Sequence, residues 1–167
     1  MPASTPFWLK RTPRMTLETK LQGDRQLVLT RTFAAAPDRV FHAHTDADLV
    51  RQWMSGAMGY VVADCTYDAR PGGSFRVVWE GEDDQMPSFE VSGEFLALDP
   101  PHRIEHVERM HMPELTTSDN HIVTEFAAQA GGTLMTMTFE NSEARDEAIA
   151  TGMTEGMEAC YLQLDTL

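Results

Sequence analysis

The residues of this chain that could do chemistry are its histidines and the acidic residues near them. His106 and Glu108 lie two residues apart in a segment of alternating pattern, and His121 lies in the next such segment. If they face one another across neighbouring strands inside a cavity, the histidine and glutamate pair could move a proton. If they face solvent on a half-exposed sheet, they carry no chemistry. The sequence favours the second arrangement and leaves the first open.

The remaining chemical motifs predict neither a metal site nor a cofactor. His42 and His44 are two apart on a predicted helix and diverge, and His102 and His106 would lie ~13 Å apart along a strand. The acidic segment 80–84 lacks the spaced oxygen ligands of a calcium loop, so it is interpreted as a solvated hairpin tip. The chain also lacks the Gly-x-Ser-x-Gly elbow, the P-loop and the Gly-x-Gly-x-x-Gly motif.

The charge distribution argues against nucleic acid as a partner. The net charge is −13, and residues 1–25 carry five basic and two acidic side chains, which leaves 8 basic against 24 acidic residues for the rest. Such a body repels phosphate backbones. The sequence shows no apolar run near the ~18 residues of a membrane span and no signal-peptide pattern, so we expect a cytoplasmic protein without membrane contact. Cys65 and Cys160 are expected to be reduced and buried.

The length of 167 residues fits a flexible leader over residues 1–25 and one domain over residues 26–167. A period of two predicts a first strand over 25–35 and, after residue 59, six more strands joined by tight turns rich in glycine and proline. These six are predicted over 60–66, 74–80, 89–98, 103–111, 117–127 and 133–140. Consecutive short strands with tight connections are typical of an antiparallel meander of about seven strands.

Helical spacing predicts two short helices after the first strand and one long helix at the end of the chain. The first short helix begins at Pro37 and ends at His44, and a Thr-x-x-Asp capping box at Thr45 begins the second. The long helix spans residues 141–167 and should lie across the concave face of the sheet. Gly152 and Gly156 fall on its apolar side, where each costs roughly 1 kcal/mol relative to alanine, which implies close packing or unfilled space.

A curved sheet wrapped around a single helix leaves inner surface that the helix does not fill, so we expect an apolar cavity between them. Nine of the eleven methionines lie beyond residue 50, and methionine lines adaptable apolar surfaces or fills irregular cores. The predicted cavity-lining residues are Trp53, Phe89, Val91, Phe95, Met135, Met137, Phe139, Ile149, Met153, Gly156, Met157 and Cys160.

Several motifs in chain order resemble the START-like (SRPBCC) helix-grip superfamily, and within it the proteins related to the C-terminal domain of the activator of heat-shock protein 90 ATPase. They are residues 36–41 (APDRVF), 49–54 (LVRQWM), 68–75 (DARPGGSF), 98–101 (LDPP), 131–133 (GGT) and 152–156 (GMTEG). The resemblance covers residues 26–167 and implies an α+β helix-grip fold. It supports a fold more strongly than a function. The double glycine and the prolines are interpreted as turn-forming.

Three functions of different classes follow, in this order. The first is a non-catalytic binding protein for a small hydrophobic or aromatic ligand, which the resemblance and the expected cavity favour. The second is a chaperone-associated protein, as the family name implies, although only the leader precedes the domain here. The third is a cyclase- or lyase-type enzyme of the superfamily, which would need polar groups converging inside the cavity. The sequence leaves open a homodimer and a chaperone partner.

Overall fold

The computed structural model describes residues 16–23 and 26–167, and these form nine strands and four α-helices. The strands are β1 (Glu18–Gln22), β2 (Gln26–Phe33), β3 (Tyr60–Tyr67), β4 (Ser74–Gly81), β5 (Phe89–Asp99), β6 (Arg103–Met112), β7 (Leu115–Thr116), β8 (Asn120–Gln129) and β9 (Gly132–Phe139). The helices are α1 (Pro37–Thr45), α2 (Ala47–Met54), α3 (Ser142–Ala150) and α4 (Met153–Leu164).

The strands form one antiparallel sheet in the order β1-β2-β9-β8-β6-β5-β4-β3, with β7 paired to β6. The α+β fold class with a C-terminal helix is therefore confirmed. The sheet has more strands than the seven predicted because β7 is too short to show periodicity and β1 lies in the segment assigned to the leader. Residues 1–15 of that leader lie outside the described residues.

One face of the sheet, which we call the inner face, carries the apolar core. The alternating residues Leu27, Leu29, Arg31 and Phe33 of β2 are all buried, while their neighbours are only half-buried, so the period of two in this strand records which side meets the helices. The inner face packs against Val40 and Phe41 of α1, Trp53 of α2 and Tyr161 of α4. The opposite, outer face carries most of the ion pairs of the sheet.

The N-terminal cap of α2 differs from the predicted capping box. The side chain of Asp46, not Thr45, accepts the hydrogen bond from the Leu49 amide at 3.0 Å. Thr45 is the last residue of α1, and its hydroxyl donates to the Phe41 carbonyl at 3.0 Å. The two helices follow each other so closely that Asp46 ends one and begins the next, which leaves Thr45 inside the first helix.

The predicted long helix over residues 141–167 is broken into α3 and α4. Gly152 adopts a left-handed conformation, with φ 75° and ψ 23°, and forms the N-terminal cap of α4. Glycine reaches this conformation without the steric cost that a Cβ brings. The prediction was wrong at this point because helical spacing continues across Gly152 even though the backbone changes direction there.

Candidate functional site

Three polar side chains, His106 and Glu108 of β6 and Asn120 of β8, form a row across the inner face, where the sequence predicted an apolar lining. We call these three residues the polar row. On β6, His106, Glu108 and Met110 share a face with the buried Ile104, because side chains two apart lie on the same side of a strand. The register places Asn120 of β8 beside Glu108. His106 and Glu108 are each shielded from solvent over most of the side chain, with 14% and 21% exposed.

Gly93 of β5 brings an aromatic ring close to this row. A Cβ at position 93 would lie 2.0 Å from the Val107 carbonyl oxygen and 2.7 Å from the Phe75 ring, so no larger residue fits without a shift. The ring of Phe75 meets the His106 imidazole edge-on, at 5.6 Å between centroids. This packing surrounds a polar ring with apolar neighbours and limits its contact with water.

Two hydrogen-bonding atoms of the row lack partners among the residues that the structure describes. His106 Nε2 lies 3.0 Å from Glu108 Oε2, which occupies one ring nitrogen. The other nitrogen, Nδ1, and Asn120 Oδ1 are both buried without a hydrogen-bond partner among the described residues. A buried polar atom left in this state costs about 1–3 kcal/mol. Asn120 as a whole is 5% exposed, so bulk solvent does not compensate for that cost.

His121 does not join this row, although the sequence left open a cluster of His106, Glu108 and His121. It lies on the outer face, where Nε2 is 2.7 Å from Glu105 Oε1 and Nδ1 is 2.6 Å from Glu140 Oε2. The solvent-facing interpretation is thus correct for His121 and wrong for His106 and Glu108. Partial burial works to lower the pKa of His121, but the hydrogen bonds and charges of Glu105 and Glu140 outweigh it, so the pKa is raised.

A cavity of about 20 Å³ lies where the polar row meets the α3–α4 junction. By volume it accommodates about one water molecule. Its lining combines residues of β5, β6, β8 and the segment before it with the junction itself: Val91, Glu108, Arg109, Met110, Thr117, Asn120, Thr151 and Met153. Thr151 and Met153 flank the left-handed Gly152, so the break in the helix forms one wall of the cavity.

Of the twelve predicted lining residues, Val91 and Met153 lie at this cavity. Five others are buried in the core: Trp53, Phe95, Met135, Met137 and Phe139. Phe89 stacks on Trp79 at 4.9 Å, and Ile149 is 42% exposed. Met157 and Cys160 are partly buried against the core, and burial raises the pKa of the Cys160 thiol to about 11. A Cβ at Gly156 would meet no other atom within 4 Å.

The volume between α2, α4 and the sheet is largely filled by stacked rings. Trp53 and Tyr161 stack at 5.5 Å, and the Trp53 indole N–H donates to the Ala43 carbonyl at 2.8 Å. His44 lies within this group, where burial lowers its pKa to about 4 against the opposing effect of its hydrogen bond with the Val40 carbonyl. Trp53 is therefore a core residue, where the sequence placed it at the rim of a cavity.

A larger groove, of about 380 Å³, lies between α1 and the end of the chain, away from the polar row. Its walls include Arg39, Val40, Leu49, Leu164 and Leu167. Sequence spacing does not indicate this groove, because it forms between segments more than a hundred residues apart.

Asn120 and Thr117 are the residues of the site that sequence reasoning missed. Asn120 lies two and six residues before the apolar Ile122 and Phe126, so alternation along β8 could have placed it on the inner face and His121 on the outer one. Thr117 precedes β8, and its Oγ1 accepts a hydrogen bond from the Met110 amide at 2.9 Å. Because Thr117 lies in the loop before β8, the periodic pattern of the sequence does not predict this contact.

The family model described as "Activator of Hsp90 ATPase homolog 1-like protein" matches residues 34–167, most of the chain. The chain belongs to this family. The resemblance found in the sequence is thereby confirmed, and with it the helix-grip fold. None of the curated proteins compared with the chain matches it.

Solved structures resemble this family member over most of its length. A protein from Rhodobacter sphaeroides is 27% identical with a TM-score of 0.76, and the match covers 90% of this chain and 95% of that one. A protein from Staphylococcus epidermidis is 28% identical with a TM-score of 0.68, covering 90% and 92%. Protein Ms6760 from Mycobacterium smegmatis, at 22% identity and a TM-score of 0.76 over 90% and 95%, shares the fold.

Within residues 16–23 and 26–167, no three His, Cys, Asp or Glu side chains are placed to hold a metal ion. Of the helices described, none has the length and apolar character needed to cross a membrane.

Proposed function

We propose that this protein binds a small hydrophobic or aromatic ligand between the inner face of the sheet and the α3–α4 junction. The observation that carries the proposal is the cavity beneath Met153, where Val91, Met110 and Met153 lie beside the oxygen Oδ1 of Asn120, which is buried without a hydrogen-bond partner among the described residues. Ligand sites combine mostly apolar walls with a few placed polar groups. Membership of a helix-grip family is consistent with this arrangement.

The proposal requires the junction to move. Small-molecule sites usually measure about 300–1,000 Å³, far more than the cavity of about 20 Å³. Met153 is an unbranched, adaptable side chain, and the backbone break at Gly152 lies directly beside it. Displacing Met153 and Thr151 would join the cavity to the space above the sheet. Met153 also packs against the buried cluster formed by β2, β8 and β9, so the ligand would replace those contacts.

The test is uptake of the neutral apolar dye Nile red by the folded protein. We expect the parent to enhance the dye's emission and Met153→Ala to bind it several-fold more tightly, because truncating this wall enlarges the cavity. Leu162→Ala is the matched control, since Leu162 is on the same helix but 53% exposed. It should leave uptake unchanged. Failure of both the parent and Met153→Ala to bind the dye while folded would refute the proposal.

A chaperone-associated role has a different kind of support, namely the family description. The polar groups inside the sheet offer no reason for a protein partner, whereas they do offer a reason for a small ligand. The ligand proposal therefore comes first.

A further inference from the structure

The donors and acceptors at the polar end of the cavity determine which ligand groups can form hydrogen bonds there. Asn120 contributes an acceptor oxygen without a partner among the described residues. Glu108 contributes a carboxylate whose Oε2 is close to His106 Nε2. The Asn120 Oδ1 atom and the Glu108 carboxylate oxygens are acceptors, so a ligand group placed between these oxygens must donate a hydrogen bond.

Thr117 adds one donor to this set. Its oxygen already accepts the hydrogen bond from the Met110 amide at 2.9 Å. A threonine hydroxyl also has one hydrogen to donate, and that hydrogen is available to an oxygen in the cavity. Acceptors from Asn120 and Glu108 together with a donor from Thr117 complement a group that both donates and accepts.

We infer that the ligand carries a hydroxyl group on an apolar, aromatic ring, that is, a phenol-type compound. The hydroxyl would donate to Asn120 Oδ1 or the Glu108 carboxylate and accept from Thr117, and the ring would lie against Val91, Met110 and a displaced Met153. This inference rests on the proposed ligand-binding function and assigns its chemical class.

A ligand hydroxyl that donates to Asn120 Oδ1 would account for a buried asparagine whose oxygen has no hydrogen-bond partner among the described residues. An apolar residue of similar size at position 120 would remove a desolvated polar atom and stabilise the protein without ligand. A binding residue typically lowers the free energy of unfolding of the unliganded protein, because its polar atom is satisfied only when ligand is bound. A structural asparagine would have the opposite effect, because replacing it would destabilise the fold.

The experiment compares three ring compounds of nearly equal size by isothermal titration calorimetry with the full chain. They are p-cresol, which donates and accepts, 4-methylanisole, which only accepts, and p-xylene, which does neither. We expect p-cresol to bind about tenfold more tightly than the other two, the difference that one satisfied buried hydrogen bond typically makes. Equal binding of the three would overturn the inference but leave the proposed function intact, whereas no binding of any would refute the proposed function.

Variants assign the preference to Asn120. Asn120→Leu should raise the melting temperature and reduce the ratio of p-cresol to p-xylene affinity to near one. Thr32→Val is the matched control, since the Thr32 hydroxyl is likewise buried without a partner among the described residues but lies outside the cavity lining. It should raise the melting temperature and leave the ratio unchanged. If Asn120→Leu is destabilised, or keeps the tenfold ratio, Asn120 is not the selecting group and the inference is wrong.

Discussion

The two halves of the C-terminal segment are held to the sheet in different ways. The end of α4 is attached through Arg31 of β2, whose side chain is fully buried and donates to both carboxylate oxygens of Asp165 at 2.8 and 2.7 Å. Glu158 lies 3.4 Å from the same guanidinium, and the Arg31 guanidinium carbon lies 4.7 Å from the centre of the Phe33 ring. This end of the helix is therefore fixed by a desolvated charge cluster.

The α3 half is held by contacts nearer to solvent. Glu147 accepts from the Ser118 amide at 2.8 Å, Asn141 donates to the Asp119 carbonyl at 3.1 Å, and Glu140, just before α3, pairs with His121. The His121–Glu140 ion pair is partly exposed, and such pairs typically contribute about 0–1 kcal/mol. The difference indicates that the end of α4 is anchored by a desolvated charge cluster, whereas these contacts of the α3 half lie nearer to solvent, where the ligand proposal requires the α3–α4 junction to open.

The largest effect should come from the buried charge cluster. Asp165→Ala would remove the carboxylate that binds the buried Arg31 guanidinium through both oxygens, while Glu158 lies farther away at 3.4 Å. Breaking a buried ion pair on one side costs about 3–5 kcal/mol. Urea denaturation should show that loss in the free energy of unfolding. Glu155→Ala, which removes an exposed acid from the same helix, is the control and should change it little. A loss below 1 kcal/mol for Asp165→Ala would show that the two halves are held equally.

Replacing Gly152 or Gly156 with alanine should change the stability of the protein in opposite directions. Gly152 has a left-handed backbone that costs a residue with a Cβ roughly 1–2 kcal/mol, so Gly152→Ala should destabilise. Gly156 is inside α4 with no atom within 4 Å of an added Cβ, so Gly156→Ala should stabilise by up to about 1 kcal/mol. Thermal unfolding followed by circular dichroism tests both. If Gly152→Ala also stabilises, the helix is continuous and the junction is not a break.

The smallest expected effect concerns pH. Because the folded-state pKa of His121 is raised, its contribution to stability is fully present below its unfolded pKa near 6.5 and is lost as pH rises through the folded value. The stability difference between the parent and His121→Gln should therefore be larger at pH 6 than at pH 8.5, by less than about 1 kcal/mol.

His44 contributes equally to the free energy of unfolding of the parent and of His121→Gln, so the difference between the two proteins does not contain its contribution. This matters because the lowered pKa of His44 gives a pH dependence of the opposite sign. A difference between parent and His121→Gln that does not change with pH would mean that Glu105 and Glu140 do not hold a charged His121.

The sequence by itself determined the class of the fold and most element boundaries. Pro37 begins α1 as predicted, and Leu27, Leu29 and Phe33 of β2 are buried at every second position, as the predicted period of two requires. Such features depend on residues a few positions apart, whose spacing directly records helix or strand geometry. The family resemblance came from the same local segments.

Only the tertiary structure decided how the site is assembled. Arg31 shares the buried face of β2, but its carboxylate partners Glu158 and Asp165 are more than a hundred residues away, so spacing could not show a charge cluster there. The bulge in β5 between Phe95 and Ala97 changes which residues of that strand face inward, and alternation alone cannot locate such a bulge. The pairing of Asn120 with Glu108 likewise depends on strand register, and the cavity above them exists because the backbone turns at Gly152.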